Sequence, residues 1–170
     1  ASAESGQGSD RSLTQIADEA LGVRYDDVKI SSGDTDFGVD LGAYSSRQTL
    51  MSGHAVKQAA EDVRDQVLQV LSEKTGIPAN DMDIRDGLIH FFGKRPDITP
   101  FRSTYLKEHR GWTDSPTGDD LTFREAARMA YLEKGVVVGR GAYKPGQLGG
   151  TYKGAAVGTS PAYGCSAQVV

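Results

Sequence analysis

Cysteine is nearly missing from this chain. Cys165 stands alone among 170 residues, so no disulfide can form within it. That usage fits a reducing compartment, and a cytoplasmic protein is expected. Long apolar runs are missing as well: none approaches the ~18 residues of a membrane span. The opening ASAESGQGSD has neither the basic nor the apolar segment of a secretory leader. There is no excess of positive charge. The 19 Lys and Arg are outnumbered by 23 Asp and Glu, for a net charge of -4. This argues against a broad nucleic-acid face. It leaves room for local anion sites built from backbone N–H groups.

Metal-ligand patterns are also lacking. His54, His90 and His109 lie far apart in sequence and form no ligand motif. Asp34, Asp36 and Asp40 lack the glycine-centred spacing and closing glutamate of a calcium loop. Cys165 has no histidine signature beside it and reads as a small core residue. No metal ligand is expected within the chain.

Glycine is abundant, with 21 residues concentrated in segments that read as loops. Between them run helical and strand-like patterns. Ser9 or Asp10 can cap a first helix carrying Leu13, Ile16, Ala17, Ala20 and Leu21, and Gly22 stops it. Val28 to Ser31 reads as a short strand. A glycine- and aspartate-rich stretch, Gly33 to Thr49, is too long for a simple turn. A long helix is expected from about Gln48 to Lys74, with an apolar stripe of Val56, Ala60, Val63, Val67 and Leu71. Glu61, Asp62, Arg64 and Asp65 mark its wet side. Gly53 inside that pattern points to a close approach of another element.

Met82 to Phe92 reads as a hairpin turning at Asp86-Gly87. Thr122 to Glu125 forms a capping box, with Leu121 placed to staple the helix that follows. Val136 to Tyr143 reads as a strand. The expected fold is a two-layer α+β domain over residues 1–170, with one long helix against a short mixed sheet.

Two donor-rich loops stand out, each ahead of a helix. The first is Gly6-Gln7-Gly8-Ser9-Asp10. Unpaired N–H groups at a helix start, brought close by glycine, suit a phosphate or the edge of a pterin. Gln7 adds a donor and an acceptor in one group, as a heterocycle requires. The second is Ser45-Ser46-Arg47-Gln48, where Arg47 could hold a phosphate through two N–H bonds. The plain alternative in both places is an ordinary helix cap with a solvated side chain. Together they point to one shared anionic ligand.

At this point the chain resembles the large, molybdenum-cofactor-binding subunits of the molybdenum hydroxylases, which include xanthine dehydrogenase and aldehyde oxidase. The matching text is E-x-GQGSD at 4–10, LTQIADEALGV at 13–23, SGDTD at 32–36, DLGAYSSRQTLMSGHAV at 40–56 and GGTYKGAAVGTSPAYGCSAQVV at 149–170. The tyrosine-serine-serine-arginine form and the YKGAAVGTSPAY ending look most like 4-hydroxybenzoyl-CoA reductase large subunits.

The resemblance implies that Gly6, Gln7, Gly8, Ser9 and Asp10 contact the pterin, and that Ser45, Ser46, Arg47 and Gln48 form a second cofactor contact. It implies molybdopterin cytosine dinucleotide with molybdenum as cofactor. Iron–sulfur and FAD groups would lie on other domains or subunits, because one cysteine cannot bind a cluster. The family's active-site glutamate, in a G-x-G-E motif, has no counterpart here, nor has its G-G-x-F-G loop. No catalytic residue is therefore expected within the chain. It reads as a segment of a longer subunit, inert alone, whose partners are the remainder of that subunit and the iron–sulfur and FAD subunits. The rival expectation is a non-catalytic nucleotide- or partner-binding module that uses the same glycine-rich loops.

Overall fold

A computed structural model describes residues 3–34, 36, 43, 47–100 and 120–143. Helix α1 spans Ser9–Leu21. Helix α2, Gly53–Thr75, follows a π-helical turn at Gln48–Ser52. Strands β1 (Met82–Arg85) and β2 (Leu88–Phe91) form an antiparallel hairpin in which Ile84 faces Ile89. Helix α3 spans Phe123–Lys134. The α+β class holds. Among the described residues the sheet is this one antiparallel pair, widened by an isolated bridge from Leu88 to Thr122.

The expected local signals act as anticipated at three places. Asp86 and Gly87 take φ of 51° and 75°, as a tight hairpin turn of this kind needs. The Thr122 hydroxyl accepts from the Glu125 N–H at 3.2 Å, and the Glu125 carboxylate accepts from the Thr122 N–H at 2.8 Å. This reciprocal pair closes the capping box and fixes the start of α3. Helix α2 ends at Gly76, which adopts a left-handed φ of 71°.

The core lies between the C-terminal half of α2, the hairpin and α3. Val67, Leu68, Val70 and Leu71 of α2 pack with Met82, Ile84 and Ile89, and with Leu121, Ala126, Met129 and Ala130. Ion pairs from Lys74 to Glu133 (2.5 Å) and from Lys134 to Glu73 (3.6 Å) tie the outer ends of α2 and α3 together. Helix α1 packs on α2 as well, and near the start of α2 the two approach closely. There Gly53 lies under Ile16, and a Cβ at Gly53 would stand 2.8 Å from Ile16 Cδ1. The close approach expected at this glycine is present.

Among the described residues, two expected strands do not form. Residues 28–31 follow a short 3₁₀ turn at Tyr25–Asp27 and pair with no described strand, and Ile30 is left exposed. Residues 136–143 join no sheet. Instead, 138–142 lie along α2 and use its side chains as pairing partners. Gln66 Nε2 donates to Val138 O at 3.1 Å. The Arg140 N–H donates to Asp62 Oδ2 at 2.9 Å. The Ala142 N–H donates to Gln58 Oε1 at 3.2 Å. Steps of four residues on the helix thus meet steps of two on the docked segment, which runs antiparallel to it. A helix advances ~6 Å in four residues and an extended chain ~6.6 Å in two, so the rungs coincide.

The backbones meet closely here. A Cβ at Gly139 would overlap the Ala59 carbonyl, and one at Gly141 would overlap that of Ala55. Beyond the last rung, the rings of His54 and Tyr143 stack at 4.4 Å.

Candidate functional site

The first donor-rich loop is folded around a carboxylate. Gly6 and Gly8 have φ of 96° and 79°, which brings their N–H groups to one side. Glu4 fills that side. Its Oε1 accepts from the N–H groups of Gly6 (2.8 Å) and Gly8 (3.0 Å). Its Oε2 accepts from the Asp10 N–H and the Ser9 hydroxyl, each at 3.0 Å. The Asp10 N–H is one of the orphan donors of the first helical turn, and the positive end of α1 lies behind it. The carboxylate therefore caps the helix from outside. The amides of Asp10, Gly8 and Gly6, with the Ser9 hydroxyl, hold it charged, with its pKa lowered to about 2.

Sequence reasoning assigned capping to Ser9 or Asp10. The helix in fact begins at Ser9 behind a left-handed Gly8, whose side does no capping. Glu4 reaches the anion position first because it stands just before two glycines that can wrap around it. A carboxylate two residues ahead of Gly-x-Gly at a helix start was the signal available for it.

The side chain of Gln7 braces the same turn. Its amide nitrogen donates to Ala3 O (2.7 Å) and Ser9 Oγ (3.1 Å), and its Oε1 accepts from the Ser5 N–H (2.6 Å). Both amide hydrogens are thereby used, and one lone pair of Oε1 is left. The buried Ser9 hydroxyl joins the two halves of the network by accepting from Gln7 while donating to Glu4. One residue further on, Asp10 Oδ2 accepts from the Ser32 hydroxyl at 3.0 Å. This links the loop to the SGDTD stretch. Asp10 Oδ1 is buried and finds no donor among the described residues.

The second loop is described from Arg47 onward; Ser45 and Ser46 lie outside the described residues. Arg47 opens the π-helical turn and its Nε donates to Met51 Sδ at 3.3 Å. Arg47 Nη1 and Gln48 Oε1 are buried, so this guanidinium is not the solvated side chain of the plain reading. The π-turn itself packs against α1. Both donor-rich loops are thus carried on one pair of packed helices. Turns of this wide helical type are frequent at functional sites.

Two other features are separate from this arrangement. Among the described residues, no three His, Cys, Asp or Glu side chains gather as metal ligands. Asp34 accepts from the Asp36 N–H at 2.9 Å, a local turn, while Asp40 lies outside the described residues. A groove of about 990 Å³ is lined by Leu21, Arg24, Leu88, Phe123, Arg128 and Tyr131, among others. It opens at the C-terminal end of α1, the far end of the helix from Gly6–Asp10.

The geometry separates two kinds of ligand. The N–H groups of Gly6, Gly8 and Asp10 are already committed to Glu4, so an outside phosphate bound through them would have to displace a carboxylate. A flat heterocycle is not so opposed. Among the described residues, no atom lies within 4 Å of the Cβ positions of Gly6 or Gly8, so none of them covers the turn there. The residues present therefore fit the edge of a pterin at Gly6–Gly8.

Comparison with known proteins gives the same class. A family model described as a molybdopterin cofactor-binding domain matches residues 1–170. The chain belongs to this family, the molybdopterin-binding domains of the molybdenum hydroxylases. Among curated proteins, it is similar to the probable hypoxanthine oxidase XdhD of Escherichia coli strain K12, at 39% identity over 99 residues. That match covers 57% of this chain and 10% of the relative, and XdhD of Escherichia coli O157:H7 gives the same figures. Among solved structures, it is similar to quinoline 2-oxidoreductase from Pseudomonas putida 86, with a TM-score of 0.50 and 31% identity. The likeness covers 72% of this chain and 16% of that one. The matched region spans about a tenth of the length of the curated relatives.

Proposed function

We propose that this chain is the part of a molybdenum-dependent oxidoreductase that holds the pterin of its cofactor between the Gly6–Asp10 loop and the Ser45–Gln48 segment. The observation that carries this reading is the Gly6–Gly8 turn. It is held in shape by Glu4 and Gln7, and no described residue comes within 4 Å of a Cβ built at Gly6 or Gly8. In this reading the Gly6–Gly8 backbone and the remaining Gln7 Oε1 lone pair line the pterin edge. Ser9 and Asp10 hold the loop to α1 and to Ser32. Arg47 and Gln48, set on the π-turn against α1, meet the anionic part of the cofactor, which relieves α1 of binding phosphate.

The cofactor supplies the redox chemistry, and the chain's residues position it and exclude competing contacts. The dinucleotide form, molybdopterin cytosine dinucleotide, belongs to this proposal. So do a cytoplasmic location and a parent enzyme with iron–sulfur and FAD groups on other domains or subunits. The parent reaction is hydroxylation of an activated carbon. In the variant resembling 4-hydroxybenzoyl-CoA reductase, it is reductive removal of a phenolic hydroxyl from an aromatic thioester. The chain alone is inert, since it carries no G-x-G-E glutamate.

The test is Arg47→Ala in the complete enzyme. Molybdenum per protein, measured by elemental analysis, should fall several-fold, while turnover per bound molybdenum stays near that of the parent. Unchanged molybdenum content would remove Arg47 from the site. Tight binding of a simple nucleotide by the chain alone, with no molybdopterin in the complete protein, would favour the non-catalytic module instead.

A further inference from the structure

We propose that Glu4 is a positioning residue for the cofactor: its carboxylate sets the Gly6–Gly8 turn in the shape that receives the pterin. The inference rests on the cofactor-binding reading above. Four donors from Gly6, Gly8, Ser9 and Asp10 converge on this one side chain within 2.8–3.0 Å. Two of them belong to residues with positive φ, whose backbone is free to take other shapes without such a clamp. Glu4 itself is exposed and adds nothing to the core.

A side chain needed only to cap α1 would have to reach no further than the first-turn donors. This one also ties the amides of Gly6 and Gly8, which precede the helix. Its contacts thus extend over the whole turn, which no described residue covers at the Gly6 and Gly8 Cβ positions. Gln7 braces the same turn through Ala3, Ser5 and Ser9. With the shape set in advance, the ligand does not bear the cost of ordering the loop. The carboxylate stays charged at neutral pH because the same donors lower its pKa to about 2.

The experiment compares Glu4→Gln, Glu4→Asp and the parent residue in the complete enzyme, purified with its other subunits. Three quantities are read: molybdenum and pterin per folded subunit, amide exchange at Gly6, Gly8 and Asp10 in the cofactor-free protein, and melting temperature. In Glu4→Gln the amide group turns a donor toward the Ser9 and Asp10 donors. Exchange at the three amides should rise ~10-fold or more, and cofactor content should fall ~5-fold or more. The melting temperature should stay within a degree or two. Glu4→Asp keeps the charge at shorter reach and should recover part of the loading; it carries the comparison if Glu4→Gln does not fold.

Full loading of Glu4→Gln overturns the proposal. So does a loss of cofactor that merely follows a lower melting temperature, which is the mark of a simple cap. If the parent enzyme itself holds no molybdopterin, the cofactor-binding reading falls and this inference with it. A loaded parent beside an equally loaded Glu4→Gln overturns the role of Glu4 alone.

Discussion

The two halves of α2 hold their neighbours by different means. The C-terminal half presents Val67, Leu68, Val70 and Leu71 to the hairpin and α3, and excludes water by side-chain volume. The N-terminal half presents Gly53, Ala55 and Ala59, which let Ile16, Gly139 and Gly141 come close to the helix backbone. Its other contacts are polar: the rungs at Gln58, Asp62 and Gln66, and the stacked ring of His54. Volume packing tolerates small shifts of a neighbour, because apolar contact has no direction. Backbone approach and hydrogen bonding do not. The half built on directional contacts is the one that follows the Arg47–Gln48 turn and lies under Ile16 of α1, the helix that carries the other candidate loop.

Three changes should break or sharpen this contrast. The largest effect is expected from Leu71→Ala, which opens a cavity in the apolar half. It should cost about 2–5 kcal/mol in urea unfolding and destabilise the whole chain. A merely local change after Leu71→Ala would mean that the two halves do not share one core. Next comes Gly141→Ala, whose new methyl group would strike the Ala55 carbonyl. Overpacking of this kind costs about 1–3 kcal/mol. The loss should be confined to residues 136–143, read as faster amide exchange there while the Ile84 and Ile89 amides remain protected. A uniform loss of protection would show the docked segment to be integral to the core.

The smallest effect is expected from acid. The folded-state pKa of Glu4 lies near 2, below its ordinary 4.5, so its contribution is fully present above pH 4.5. It is lost as pH falls through the folded value. A carboxyl-carbon NMR titration should place the midpoint well below pH 4, with the Gly6 and Gly8 amide signals moving in step. A midpoint near 4.5 would mean that the loop does not hold the carboxylate in solution.

Much of the fold was legible where a signal is local. Thr122 and Glu125 announce α3, Asp86-Gly87 announces the hairpin, and the stripe through Val67 and Leu71 announces α2. The failures share a cause. Val136, Val137 and Val138 favour extended backbone, and extended backbone is what the neighbouring rungs require. β-Propensity, however, does not say whether the pairing partner is another strand or the polar side of a helix. Asp62 was read as part of a wet side, yet the Arg140 N–H and the Gln66 amide hold its carboxyl below the ordinary range. Residues 28–31 differ for the opposite reason: among the described residues their apolar pair meets no strand partner.

The candidate site was legible as a loop but not as a network. Gly6, Gln7 and Gly8 stood out by type. The partner they wrap, Glu4, stands in the same E-x-GQGSD text, but its type alone assigns it no role, because a single carboxylate ahead of a helix looks like any solvated residue unless the two glycines are read as wrapping it. Ser32 was equally silent, since its bond to Asp10 spans 22 positions of sequence.

The docked segment on α2 has one more consequence. Four helical residues and two extended ones advance by nearly equal lengths, but not by equal lengths. The mismatch of ~0.6 Å per rung makes the pair a vernier. Two intervals, from Gln66 to Gln58, keep the misfit near ~1.2 Å, which side-chain torsions absorb. A third would bring it to almost ~2 Å, beyond the tolerance of a hydrogen bond. At that position the helix offers His54, whose ring contact with Tyr143 accepts the slip. Among the described residues the seam thus passes from hydrogen-bonded rungs to a ring stack as the misfit grows, where the helix itself begins.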